Sequence, residues 1–323
     1  MYPANRDKSG RFVKGNRANP TGRPKENPEK KELYLKVEEI SGDALLEKNF
    51  KPIKWAVEGF LPSGLSLLGG GPKVGKSILS LHLCLAVVLG GVALGKIKVA
   101  QGQALYLALE DPQRRLQDRL LSSNLHDNDD ISDLTIVTRV PRQHEGGLEY
   151  IQWWLEEHKN ARLVIIDTLQ KFRKLSNKVD VYAEDYDVMS EIKALADKYN
   201  VAFLIIHHLK KNNSSDDWLN DISGSQGLAG AADTIFVLKR ARVKNTGILH
   251  RTGRDVEEKD FAITLDGLGW TLEEDVEQFT LPEWKRNTIK YIREHGEVTP
   301  MELSEALNMN INTTRSNLRR LED

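Results

Sequence analysis

Apolar and polar positions along this chain fall into two rhythms. From Trp55 to about Glu273, short and nearly unbroken apolar runs at residues 65–68, 104–109, 163–166, 202–206, 234–238 and 261–265 alternate with longer stretches of helical period, of which 76–89 and 184–199 are the clearest. A strand with one wet face alternates apolar and polar side chains, whereas a strand covered on both faces reads as a continuous apolar run. Runs of the second kind, separated by helices, predict an α/β fold: a mostly parallel sheet flanked by helices. After Pro282 the rhythm is purely helical, with helices predicted at 283–295, 300–307 and 312–322. Thr299 is placed to cap the second of these and Pro300 to fill its first position. The polar turn from Asn308 to Asn310 then leads into the third, which is helix-turn-helix spacing.

Ahead of both regions, residues 1–33 contain almost no aliphatic side chain and cannot bury enough surface to offset the entropy of ordering. The predicted organisation is therefore a basic flexible tail (1–33), an α/β domain (34–278) and a small all-α helix-turn-helix module (279–323).

Composition changes this picture in a few places. With 40% apolar and 29% charged residues in 323, the chain reads as globular rather than fibrous or disordered. The longest apolar stretch, 78–99, is broken by Ser80, His82 and glycines, so no membrane span is expected. The single cysteine, Cys84, can form neither an intramolecular disulfide nor a zinc-binding thiolate cluster, and a reducing cytoplasm is the expected compartment. A net charge of −1 conceals a tail rich in Arg6, Lys8, Arg11, Lys14, Arg17, Arg23, Lys25, Lys30 and Lys31. That tail suits either solubility or loose contact with phosphate.

The chemistry begins at the end of the first apolar run. Gly70-Gly71-Pro72-Lys73-Val74-Gly75-Lys76-Ser77, followed by Ile78, fits the phosphate-binding loop between a strand and a helix. Glycines let the backbone turn and aim its N–H groups at phosphate oxygens, and the helix N-terminus adds a favourable dipole. Lys76 would neutralise the terminal phosphates of ATP, and the Ser77 hydroxyl would bind Mg²⁺. A second run ends in Asp167, where open α/β sheets bind ligands; it reads either as a carboxylate holding Mg²⁺ through water or as the cap of a turn. The next residue is Thr168, so the acid that orients the attacking water must come from elsewhere. Glu110, at the end of the 104–109 run, is the expected base, with Asp111 expected to cap the helix that follows. The run at 202–206 leads into His207-His208, and a polar side chain leaving the sheet there can touch the γ-phosphate. Chelation of one metal ion by both histidines is disfavoured, because adjacent strand residues point to opposite faces.

The order of these elements over residues 53–272 resembles the RecA-like hexameric helicases of the RepA type, an AAA-named ATPase group of phages and plasmids. The likeness rests on 70–77, the run Leu105 to Asp111, Ile165-Ile166-Asp167-Thr168, His207-His208, the stretch from Gly224-Ser225 to Thr234, and Gly253-Arg254-Asp255. It implies rings with ATP between subunits, Lys76 and Ser77 on phosphate and Mg²⁺, Asp167 as the metal-holding acid, Glu110 as base and His208 as sensor. It also implies an arginine finger from the neighbouring subunit, for which Arg254 is the first choice and Arg251 the second; Gln226 stands where some relatives carry a basic residue. Basic residues at Lys171, Arg173, Lys174 and Lys178, and at Lys210 and Lys211, would face single-stranded DNA in a central channel, although Asp216, Asp217 and Asp221 lie in the second loop. The C-terminal module resembles the helical half of a winged helix. Thr313, Thr314, Arg315, Asn317, Arg319 and Arg320 of its third helix would meet duplex DNA.

The leading expectation is thus an ATP-driven DNA helicase or translocase acting as a hexamer in phage or plasmid replication. A DNA-binding ATPase switch or recombination mediator is the alternative from another class. A P-loop small-molecule kinase is disfavoured, since it gives Glu110, His208 and Arg254 no purpose.

Overall fold

The computed structural model describes residues 39–50, 52–123, 125–173, 181–209, 226–240, 245–267, 269–273 and 283–322. The basic tail, the loop lysines 174, 178, 210 and 211, and the stretch 224–225 lie outside them. The chain divides into two compact units, one ending at Pro52 and one running from Ile53 to Asp323. In the first, helix α1 (Gly42–Glu47) is capped by the Ser41 hydroxyl, which accepts the Ala44 N–H at 3.2 Å.

The second unit is built on a nine-stranded sheet. Its parallel part consists of β3 (Gly64–Gly70), β6 (Gln103–Ala108), β7 (Leu134–Val137), β8 (Ala161–Asp167), β9 (Ala202–His208) and β10 (Thr234–Arg240), in the order β10-β3-β9-β8-β6-β7. An antiparallel extension, β11 (Thr246–Gly253), β12 (Lys259–Asp266) and β13 (Gly269–Leu272), continues from β10. Two small hairpins, β1 (Trp55–Val57) with β2 (Leu61–Pro62) and β4 (Gly91–Ala93) with β5 (Ile97–Val99), stand outside it.

The continuous apolar runs have the predicted cause. Along β8, Leu163 and Ile165 join one hydrophobic core while Val164 and Ile166 join the other. Along β9, Leu204 and Ile206 face the first core and Phe203 and Ile205 the second. The first core is closed by α2 (Lys76–Leu89) and receives Cys84, Val87 and Trp270; the second is closed by α4 (Gly147–Glu157), α6 (Val181–Tyr199) and α7 (Gln226–Ala231). β8 and β9, at the centre of the parallel part of the sheet, are thus covered on both sides, at about 25 cal/mol per Å² of apolar surface removed from water. Two shorter helices, α3 (Gln113–Ser122) and α5 (Leu169–Phe172), follow β6 and β8.

The C-terminal residues form α8 (Glu283–His295), α9 (Pro300–Ala306) and α10 (Ile311–Glu322). Thr299 caps α9 with Pro300 at its first position, and Glu302 reaches back to the Thr299 N–H at 2.7 Å, a reciprocal cap. Thr314 and Asn317 are buried on α10, which corrects their expected display to DNA; Thr313, Arg315 and Arg319 remain exposed. Among the described residues no helix is long and apolar enough to cross a membrane.

Candidate functional site

The parallel strands carry their C-terminal ends to one edge of the sheet, and the candidate residues collect there. β3 ends in Gly70, in register with His208 of β9 and Leu238 of β10, while Asp167 ends β8 opposite Ala108 of β6. Such an edge is where open α/β sheets take ligands.

The loop between β3 and α2 has the backbone that phosphate binding needs. Lys73 and Gly75 take positive φ values of 63° and 105°, and α2 starts at Lys76 with no side chain capping its first turn. The N–H groups of that turn are therefore free for an anion. A Cβ at Gly75 would lie 2.8 Å from Cζ2 of Trp270, whose indole N–H donates to the Gly75 carbonyl at 3.2 Å. Arg240, at the end of β10, stacks over the same indole and donates to the Lys73 carbonyl at 3.2 Å. Trp270 and Arg240 escaped sequence reasoning, because neither belongs to the loop motif and Trp270 lies 195 residues from Gly75.

Lys76 is 4% exposed, and its ammonium donates to the carbonyls of Gly70 at 2.7 Å and Gly71 at 2.9 Å. Burial lowers its pKa to about 8, partly opposed by the negative charges of Asp167 and Glu110. His208 Nδ1 is 3.3 Å from the same ammonium, and its Nε2 is 3.4 Å from Oε2 of Glu110. The other Glu110 oxygen accepts the Thr168 hydroxyl at 3.0 Å. Lys76, His208 and Glu110 thus form one continuous cluster.

Asp167 is 4% exposed, and burial raises its pKa, opposed by hydrogen bonds from Ser77 and Tyr106. A buried carboxylate beside a hydroxyl at the start of the phosphate-binding helix is a hard oxygen donor set, which suits Mg²⁺. The residues present therefore fit Mg²⁺ with a nucleotide.

Several expectations need correction. Asp111 does not cap α3: that helix starts after Pro112 without a side-chain cap, and the Asp111 carboxylate instead pairs with Arg115 at 2.7 Å and with Arg119. Arg251 is not available as a finger. It is 5% exposed and donates to the carbonyls of Gly59 at 2.6 Å and Glu257 at 3.2 Å. Arg173 pairs with the buried Asp185, and its carbonyl holds Arg142 at 2.8 Å, so it is not a free contact for phosphate.

Arg254 stands apart from the cluster. The register pairs Gly253 with Thr234 and Thr234 with Ser66, which puts Arg254 at the end of the sheet opposite the phosphate loop of its own chain. Its side chain is 63% exposed and tethered there, donating to the Gly230 carbonyl at 2.9 Å and lying 3.8 Å from Asp233.

Fold and site together define the class, a P-loop ATPase of RecA-like α/β architecture. More particularly, the model of a family described as an AAA domain matches residues 32–214, over half of the chain, and the chain belongs to that family. Among solved structures it is similar to an ATPase domain at 14% identity, with a TM-score of 0.53 over 66% of this chain and 85% of that one. It is also similar to a DnaB-like replicative helicase, described with its interactions with primase, at 14% identity, with a TM-score of 0.54 over 71% of this chain and 66% of that one. No curated protein matches the chain.

Proposed function

We propose that this chain is a DNA helicase or translocase of the RepA type in phage or plasmid replication, hydrolysing ATP between the subunits of a hexameric ring. The single observation that carries the reading is the continuous cluster of Lys76, His208 and Glu110 at the mouth of the phosphate loop. The loop residues Gly70, Gly71, Pro72, Lys73, Val74, Gly75, Lys76, Ser77 and Ile78 hold the nucleotide. Lys76 neutralises charge on the terminal phosphates. When bound, Mg²⁺ neutralises charge on the phosphoryl oxygens, and Ser77 and Asp167 are the residues that hold it. Glu110, fixed between Thr168 and His208, orients the attacking water and takes its proton. His208 touches both the loop lysine and the base, a position from which loss of the γ-phosphate is felt.

Arg254 is the proposed arginine finger. It faces away from its own loop, so it can serve only the site of a neighbouring copy. DNA as partner rests on the likeness to a replicative helicase, on the exposed Lys171 beside the site, and on Arg315 and Arg319 of α10. We retain 279–323 as a separate winged-helix-like module that touches duplex DNA.

The test is strand displacement on a forked duplex. Wild type separates the strands only with ATP, and Glu110→Gln keeps nucleotide affinity while hydrolysis drops at least about 10²-fold. Arg254→Ala alone is inactive and regains hydrolysis in mixed rings containing wild-type subunits. ATP hydrolysis with single-stranded DNA but no strand separation on any fork would replace the helicase by a DNA-bound ATPase switch.

A further inference from the structure

Tyr106 has no part in the scheme above, yet it touches the acid at its centre. The alternation that sends Leu105 and Leu107 of β6 to one core sends Ala104, Tyr106 and Ala108 to the other, beneath α2. Leu163 and Ile165 share that face of β8, and Asp167 continues the same parity. In register, Tyr106 lies opposite Ile165 and Ala108 opposite Asp167. A long side chain at 106 therefore reaches diagonally to the carboxylate one step up the neighbouring strand.

The phenol does so, donating its O–H to Oδ2 of Asp167 at 3.0 Å. Tyr106 is 0% exposed and Asp167 4%, so bulk water cannot substitute for either partner. Phenylalanine would fill the same space among Cys84, Ala108 and Ile165, and the hydroxyl is the one feature it would lack. Asp167 is thus held by two hydroxyls, Tyr106 from within the sheet and Ser77 from the start of α2.

We propose that Tyr106 is a positioning residue, which locks the Asp167 carboxylate beside the Ser77 hydroxyl in the orientation that receives a divalent cation with the nucleotide. This rests on the reading of Asp167 as the metal-holding acid. Partners that orient a metal-binding carboxylate change metal affinity by about 10–100-fold when removed. The ring itself keeps the core filled, so the fold is retained while the carboxylate loses its orienting partner.

The experiment compares wild type, Tyr106→Phe and Asp167→Asn in the full chain. Mn²⁺ binding in the presence of ADP is read from the electron paramagnetic resonance signal of free Mn²⁺, and binding of a fluorescent ADP is measured in EDTA. Tyr106→Phe is expected to weaken Mn²⁺ about tenfold, with metal-free ADP affinity unchanged and the fold retained at a modestly lower melting temperature, and to raise the Mg²⁺ concentration for half-maximal hydrolysis with kcat at saturating Mg²⁺ nearly kept. If Asp167→Asn loses Mn²⁺ while Tyr106→Phe binds it as wild type does, the positioning role is overturned and the metal-site reading stands. If Asp167→Asn also binds Mn²⁺ normally, the metal-site reading itself fails and takes the proposal with it.

Discussion

Lys76 and His207 show how burial sets chemistry one side chain at a time. The Lys76 ammonium must be charged to hold phosphate, and in the free protein burial brings its pKa to about 8. Charge is present below that value and lost above it, so affinity for ADP should fall about tenfold between pH 7 and pH 9 in a fluorescence titration, following the charged fraction of a single group. Lys76→Ala should show weak binding at both pH values. His207, desolvated and facing the charge of Arg173, is lowered to about 4. Between that value and its unfolded value near 6.5, the unfolded chain takes up a proton that the folded chain refuses, so stability is full above pH 6.5 and declines towards pH 4. The loss should reach roughly 1–3 kcal/mol in denaturant titrations, and His207→Gln should remove most of it. At this scale sequence reveals residues whose type stands out against their surroundings, such as Asp167 closing an apolar run. Tyr106 was hidden because an aromatic in a strand reads as core, and only the neighbouring strand's register shows what its hydroxyl meets.

Elements were legible in proportion to their length and to the purity of their pattern. Five of the six apolar runs lie wholly within strands, the sixth overrunning β6 by Leu109, and α2 spans the residues its periodicity predicts. Where two or three residues make a strand, as in β1, β2, β4 and β5, no period exists to be read; β7, β13 and the eight-residue β11, whose Thr246, His250, Arg251 and Thr252 interrupt its apolar positions, also went unnoticed. The error at Asp111 has a different cause: its arginine partners at 115 and 119 lie one and two turns along α3 and drew the carboxylate away from the helix end. Two predictions belong here. Gly75→Ala forces a Cβ against the Trp270 ring at a backbone angle that side chains rarely adopt, so it should cost about 1–3 kcal/mol in thermal or chemical melts and abolish nucleotide binding. Thr299→Ala removes the hydroxyl that accepts the Glu302 N–H, leaving only the backbone half of the reciprocal cap on α9, and should destabilise the three C-terminal helices by about 1 kcal/mol, read by hydrogen exchange over 283–322.

Across the whole molecule, the fold class could be read early because strands covered on both faces admit few arrangements, but the strand order β10-β3-β9-β8-β6-β7 could not, since no local pattern encodes which strands become neighbours. That order is what gathers Lys76, Asp167, Glu110 and His208 at one edge and leaves Arg254 at the other. On the proposal that Arg254 completes a neighbour's site, hydrolysis per chain should fall on dilution as copies separate; a specific activity independent of concentration down to the nanomolar range would remove Arg254 from the reaction. The indole that braces Gly75 has a temporal consequence too. Synthesis runs from the N-terminus, so the ribosome finishes the glycine turn long before it adds Trp270, the residue against which that turn rests. A nascent chain arrested before β13 should therefore be blind to nucleotide, acquiring its grip only once the last strand of the sheet has emerged.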